Sequence, residues 1–101
     1  MGEILFVYGT LKDPTVQQAV FGHVVTGKPD TLEGFVKGEI NLGGTVYSII
    51  RPDSTSQIEG LVIEVRPHEL ALIDRYEGSD YQRVQVTLKS GQRAWVYCAP
   101  S

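Results

Sequence analysis

The spacing of apolar positions changes several times along the chain, and each change marks an element. Ile4, Leu5, Phe6 and Val7 form an unbroken apolar run that stops just before Gly9. A strand covered on one face would alternate, so residues 3–8 read as a strand buried on both faces. Asp13 and Pro14 then have the form of a helix N-cap and first helical residue. Val16, Ala19 and Val20 recur at helical spacing until Gly22. From His23 to about Ile50 glycines recur every few residues, and "LEGFVKGEI" and "TVYSII" predict short, bent strands. Asp53, Ser54, Thr55 and Ser56 predict a polar turn. The segment "IEGLVIEV" predicts a strand, and a second helix starts at Pro67 and stops at Gly78. "YQRVQVTL" and "RAWVYCA" predict two final strands joined by the tight turn Lys89-Ser90-Gly91-Gln92.

Many strands with two short helices imply an α+β domain whose sheet curls into a partial barrel. The 101 residues suit one domain, spanning 1–101, with a core that needs neither metal nor disulfide. No repeat, linker or low-complexity segment divides it. The net charge of -3 comes without any run of like charges, which argues against nucleic-acid binding through a basic surface. Cys98 is the only cysteine, so no intrachain disulfide can form, and in its apolar strand it reads as a small buried hydrophobe. No apolar run approaches the roughly 20 residues that span a bilayer, and the first residues lack the pattern of a secretory signal. Phe6 stands where a myristoylation signal beginning at Gly2 requires serine or threonine. The expectation is a cytoplasmic chain without membrane or nucleic-acid partners.

Two segments carry candidate chemistry. On a helix from Pro67 to Glu77, a 100° step places Leu70, Ile73, Tyr76 and Glu77 within about a third of the circumference, with Ala71 and Arg75 facing away. A carboxylate on that stripe loses water, and its pKa rises toward neutrality, where a proton shuttle works best. Alternatively, Glu77 swings past the helix end beside Gly78 and is solvated. The segment Tyr8-Gly9-Thr10-Leu11 reads as an ordinary tight turn or as a nest of backbone N–H groups for a carboxylate or oxyanion, with Gly9 admitting a ligand close to the backbone.

Other residues are less distinctive. Tyr81 and Arg83 share a sheet face and line a cavity, or Arg83 pairs structurally with an acid. Asp74 lies beside the apolar stripe and reads as bonding backbone. His23 and His68 are isolated, His68 and Glu69 fit a solvated first helical turn, and no spacing suggests zinc. Thr10 has no histidine to activate it. Trp95 and Tyr97 fit core or cavity wall.

"FVYGTLK" near the start, "LIDRYEGSDYQRVQV" some way on and "AWVYCA" near the end, with "IEGLVIEV" among them, resemble the gamma-glutamylcyclotransferase-like family. That family includes gamma-glutamylamine cyclotransferases and AIG2-like proteins. The resemblance runs in order over nearly the whole chain. It implies a small mixed barrel with flanking helices, no cofactor, and a small-molecule substrate whose gamma-glutamyl group sits in the cavity. The family's substrate-holding loop maps onto Tyr8, Gly9, Thr10 and Leu11, and its catalytic glutamate maps onto Glu77. "NLGGTVYSII" departs from the family by lacking the Tyr-Pro pair common before the middle strand. The implied reaction is attack of the substrate's α-amine on its own γ-carbonyl, releasing 5-oxoproline and an amine. Since the nucleophile belongs to the substrate, no serine, cysteine or metal apparatus is required. The competing expectation is a non-catalytic module that binds a small anionic metabolite in the same pocket.

Overall fold

The computed structural model describes residues 2–100. The elements run β1 (Glu3–Val7), α1 (Pro14–Phe21), β2 (Lys28–Leu42), β3 (Thr45–Val65), α2 (Pro67–Glu77), β4 (Gln82–Thr87) and β5 (Arg93–Cys98). The five strands form one sheet in the order β2-β3-β1-β5-β4. β1 pairs antiparallel with β3 and parallel with β5, where Leu5 lies opposite Trp95, so the sheet is mixed.

The central place of β1 explains its unbroken apolar run. Successive side chains point to opposite faces of a sheet. Leu5 and Val7 join Leu11, Phe21, Ile63, Leu70 and Ile73 in a layer between the sheet and the two helices. Phe6 and Tyr8 join Leu32, Ile50, Ile58 and Val96 in the hollow on the other face. Burying a side chain such as Leu5 or Phe6 contributes about 1.5–3 kcal/mol relative to exposure, and the buried stretch Leu5–Val7 has no position free to be polar.

The sheet closes on itself into a half-barrel through bonds between segments distant in strand order. The backbone N–H of Lys89, after β4, donates to the Thr31 carbonyl of β2 at 2.9 Å. That of Ala99, after β5, donates to the Ile50 carbonyl of β3 at 3.0 Å. The result is the α+β half-barrel with two helices that the sequence predicts. Among the described residues no helix is long and apolar enough to cross a membrane.

Local readings hold for both helices. The Asp13 carboxylate accepts the Thr15 N–H at 2.8 Å, Pro14 opens α1 and Gly22 ends it. Pro67 opens α2, and Glu69 reaches back to accept the Arg66 N–H at 2.8 Å. Three readings need correction. The glycine-rich region forms one long hairpin rather than short strands, because an antiparallel ladder from Lys28 to Leu42, interrupted once at Gly34, satisfies its backbone against β3. Asp53–Ser56 is not a turn between strands. The ladder passes from Glu33 opposite Gln57 to Phe35 opposite Pro52, so this polar run bulges out of β3 across from Gly34. The Asp53 carboxylate satisfies the bulge by accepting from the Thr55 N–H at 3.0 Å and hydroxyl at 2.8 Å. Finally, Glu69 is buried rather than solvated, and it bonds His23, which is exposed but not isolated: the pair ties the segment after α1 to the start of α2.

Gly60 shows how closely β3 approaches β1. A Cβ built there would lie 2.5 Å from the Val7 carbonyl oxygen and 2.6 Å from Cζ of Phe6. Gly60→Ala therefore overpacks the sheet, with an expected loss of about 1–3 kcal/mol. The midpoint of urea unfolding measures it, and an unchanged midpoint would show that β1 and β3 part easily.

Candidate active site

The chain leaves the sheet at the end of β1, and the loop that follows is held at several points. Lys12 N–H donates to the Gly9 carbonyl at 3.1 Å and Asp13 N–H to that of Thr10 at 2.9 Å, forming one 3-10 turn over Thr10–Lys12. Leu11 is buried, and its carbonyl accepts from Nε2 of the buried Gln17 at 2.8 Å. The N–H groups at the start of a helical turn have no partner within it. Here the backbone N–H groups of Gly9, Thr10 and Leu11 bond to no acceptor among the described residues. The backbone of Gly9, at φ -119, does not itself demand glycine, and a Cβ there would meet that of Ser48 at an ordinary 3.5 Å.

α2 arrives from the other side. Leu70 and Ile73 bury its inner stripe, and Glu77 extends that stripe by one more turn. Gly78 takes φ +69, a left-handed value that side chains disfavour, and turns the chain away immediately afterwards. Glu77 is thereby left half-buried on the wall of a cavity of about 260 Å³, which Tyr8, Gly9, Thr10 and Leu11 also line. Among the described residues, no group forms a hydrogen bond or ion pair with its carboxylate. Burial alone pushes its pKa from 4.5 up to about 7. The solvated alternative for Glu77 does not match this placement.

Five tyrosines, Tyr8, Tyr47, Tyr76, Tyr81 and Tyr97, line the same cavity. The Tyr8 hydroxyl donates to the Tyr97 carbonyl at 2.6 Å, and the Tyr97 hydroxyl donates to Oδ1 of Asp74 at 2.6 Å. The Tyr81 hydroxyl donates to the Ser48 carbonyl at 2.7 Å, and that of Tyr76 shares a hydrogen bond of 2.8 Å with the Thr10 hydroxyl. Burial, followed by the charge of Glu77, pushes Tyr81 up to about 12. Burial also drives Tyr8 and Tyr97 upward, reinforced by Glu77 at Tyr8 and by the Asp74 bond at Tyr97. Tyr8, Tyr81 and Tyr97 therefore stay neutral at ordinary pH, whereas Glu77 is poised to exchange a proton.

The structure thus gathers Tyr8, Gly9, Thr10, Leu11, Glu77 and Tyr81 around one cavity. Arg83 is placed elsewhere. Its Nε bonds Oδ1 of Asp74 at 2.9 Å, its guanidinium lies 4.4 Å from the centre of the Trp95 ring, and it lines a neighbouring depression. Asp74, expected to bond backbone, instead accepts from two side chains, Tyr97 and Arg83. Tyr97 is both core and cavity wall. Tyr47 and Ser48, on the β3 limb of the hairpin, also line the cavity and carry no local sequence signal, because only the hairpin's fold over the loop brings them there. Among the described residues no group of three or more His, Cys, Asp or Glu is placed to hold a metal ion.

The chain belongs to the family described as gamma-glutamyl cyclotransferase, AIG2-like, whose model matches residues 5–101. AIG2-like protein C of Arabidopsis thaliana is 35% identical over 83 residues, which are 81% of this chain and 47% of that protein. The chain therefore spans about half the length of the curated relatives it matches. A solution structure from Arabidopsis thaliana superposes with a TM-score of 0.81 at 28% identity, covering 97% of this chain and 68% of that one. A structure described as gamma-glutamyl cyclotransferase superposes at 0.74 with 16% identity, covering 100% of this chain and 68% of that chain, a likeness of fold.

The raised pKa of Glu77 makes stability depend on pH with a definite sign. A carboxyl that binds its proton more tightly folded than unfolded stabilises fully below about pH 4, and the contribution disappears as the pH rises through about 7. Glu77→Gln removes that dependence. Relative to the parent, the variant should gain on the order of 1–3 kcal/mol between pH 5 and pH 8. Urea unfolding at the two pH values measures the gain, and parallel behaviour of the two proteins would mean that Glu77 is solvated.

Proposed function

We propose that this chain is a cyclotransferase that cleaves a gamma-glutamyl amine or amide and releases 5-oxoproline with a free amine. The observation that carries this reading is a single cavity lined both by Glu77, unpartnered among the described residues and with its pKa pushed up to about 7, and by Gly9, Thr10 and Leu11, whose N–H groups bond to no acceptor among those residues. The family supports it.

A gamma-glutamyl compound contains its own nucleophile, the α-amine, which can close a five-membered ring on the γ-carbonyl carbon. Intramolecular attack of this kind has a high effective molarity once the chain is curled, so binding in the cavity supplies much of the acceleration. The Glu77 carboxylate accepts a proton from the attacking nitrogen as the C–N bond forms. It returns that proton to the leaving nitrogen as the old C–N bond breaks, so atoms balance without water. The N–H groups of the loop hold the substrate's carboxylate or the developing oxyanion, and need no reorganisation because Leu11 and the 3-10 turn anchor them. A pKa of about 7 suits a group that must first take and then give the proton.

A binding module without catalysis would hold an acidic metabolite in the same place. An unpartnered carboxylate in the cavity opposes such a ligand, which favours the enzyme. Incubation with a panel of gamma-glutamyl amino acids and amines, with 5-oxoproline measured, tests the two. Glu77→Gln should lower release by about two to four orders of magnitude, the usual contribution of general acid-base catalysis. A folded, fully active variant would remove Glu77 from the mechanism, and ligand binding without release by the parent would leave the module.

A further inference from the structure

We infer that Lys37 is a positioning residue for the loop of the site: its ammonium group holds the peptide between Tyr8 and Gly9, so that the first free N–H faces the ligand. The inference rests on the reading of that loop as the substrate's anchor. Tyr8 lies just beyond the last residue of β1, and among the described residues no backbone N–H outside the helices and strands donates to its carbonyl. Nζ of Lys37 donates to this oxygen at 3.2 Å, from a position on β2 opposite Ile50.

Lys37 stands two residues after Phe35, and side chains two apart on a strand share a face. Phe35 packs against the core within the hollow, so Lys37 occupies a position whose face is turned toward the protein. Lys37 lines a depression beside the cavity together with Tyr8, Gly9 and Thr10, so its long stem reaches the loop while the exposed residue stays in contact with water.

A peptide group is planar, with its C=O and N–H pointing in opposite directions. Holding the oxygen of Tyr8 therefore sets the direction of the Gly9 N–H. A cation on that oxygen also polarises the peptide and makes its N–H a stronger donor. Of the loop's anchors, the Gln17 bond acts on Leu11 and the 3-10 turn acts on the carbonyls of Gly9 and Thr10. Lys37 is the side chain that acts on the Tyr8 carbonyl.

The test compares Lys37→Met and Lys37→Arg with the parent. Methionine keeps the stem and loses the donor, whereas arginine keeps a charged donor. Two readouts are taken on each protein: 5-oxoproline release from a gamma-glutamyl amino acid, and titration with 5-oxoproline followed at the amide resonances of Gly9, Thr10 and Leu11. Lys37→Met should weaken the saturable amide shifts and raise KM about tenfold, with kcat changing less and the thermal midpoint within a few degrees. Lys37→Arg should restore binding to within about threefold. Shifts and KM equal to the parent's in Lys37→Met, or failure of arginine to restore them, would overturn the inference while leaving the cyclotransferase reading intact. Absence of 5-oxoproline release by the parent, with amide shifts that still weaken in Lys37→Met and recover in Lys37→Arg, would overturn the reaction and support the positioning. Absence of any loop shift in the parent would overturn the positioning, and combined with absence of 5-oxoproline release it would overturn both.

Discussion

Because β1 lies between β3 and β5 with both faces covered, its end is held in three dimensions, and the site is built on that end. Leu5 and Val7 are committed to the helix layer, and Phe6 and Tyr8 to the hollow, so the strand can neither roll nor slip. A one-residue slip would exchange the two sets and bring the wrong side chains against Ile63 and Val96. The loop that starts at Tyr8 inherits this rigidity, and so do its backbone donors. Gly60 extends the same constraint to β3, whose backbone passes too close to Val7 to admit a side chain.

The other half of the site depends on how one helix treats its acids. Asp74 and Glu77 stand three residues apart on α2. Asp74 accepts from Tyr97 and Arg83, whereas Glu77 faces the cavity with no partner. A carboxylate that has lost water without gaining hydrogen bonds is costly to ionise, and this cost appears as the raised pKa. Stability and chemistry therefore pull in opposite directions at Glu77, as is common where a group must change its protonation state during a reaction.

The long hairpin joins the two halves. Its β3 limb carries Tyr47 and Ser48 into the cavity wall, and the Ser48 carbonyl receives the Tyr81 hydroxyl from the segment just after α2. One structural unit thus borders the loop, the helix end and the start of β4. Its polar bulge at Asp53–Ser56 lies outside the site, where the local bonds of Asp53 make it self-sufficient.

The doubly buried first strand, both helices with their starts and stops, the final hairpin and the α+β class were legible in the sequence, because each rests on local periodicity or on one residue at a turn. Glu77 was legible as a position on an apolar stripe, and the loop from Tyr8 to Leu11 as a run rich in backbone and poor in side-chain chemistry. The length of the β2–β3 hairpin was not legible, since its glycines and polar residues weaken the strand pattern and only the ladder between the limbs holds them extended. Pairings between distant residues were likewise decided by the tertiary structure: His23 with Glu69, Arg83 with Asp74 and Lys37 with the Tyr8 carbonyl. A charged side chain reads the same in sequence whether it meets water or a partner, and only the curl of the sheet determines which it meets. The sequence determined which residues could carry a proton or offer an amide; the fold decided which of them share one cavity, because that depends on contacts between the ends of separate elements.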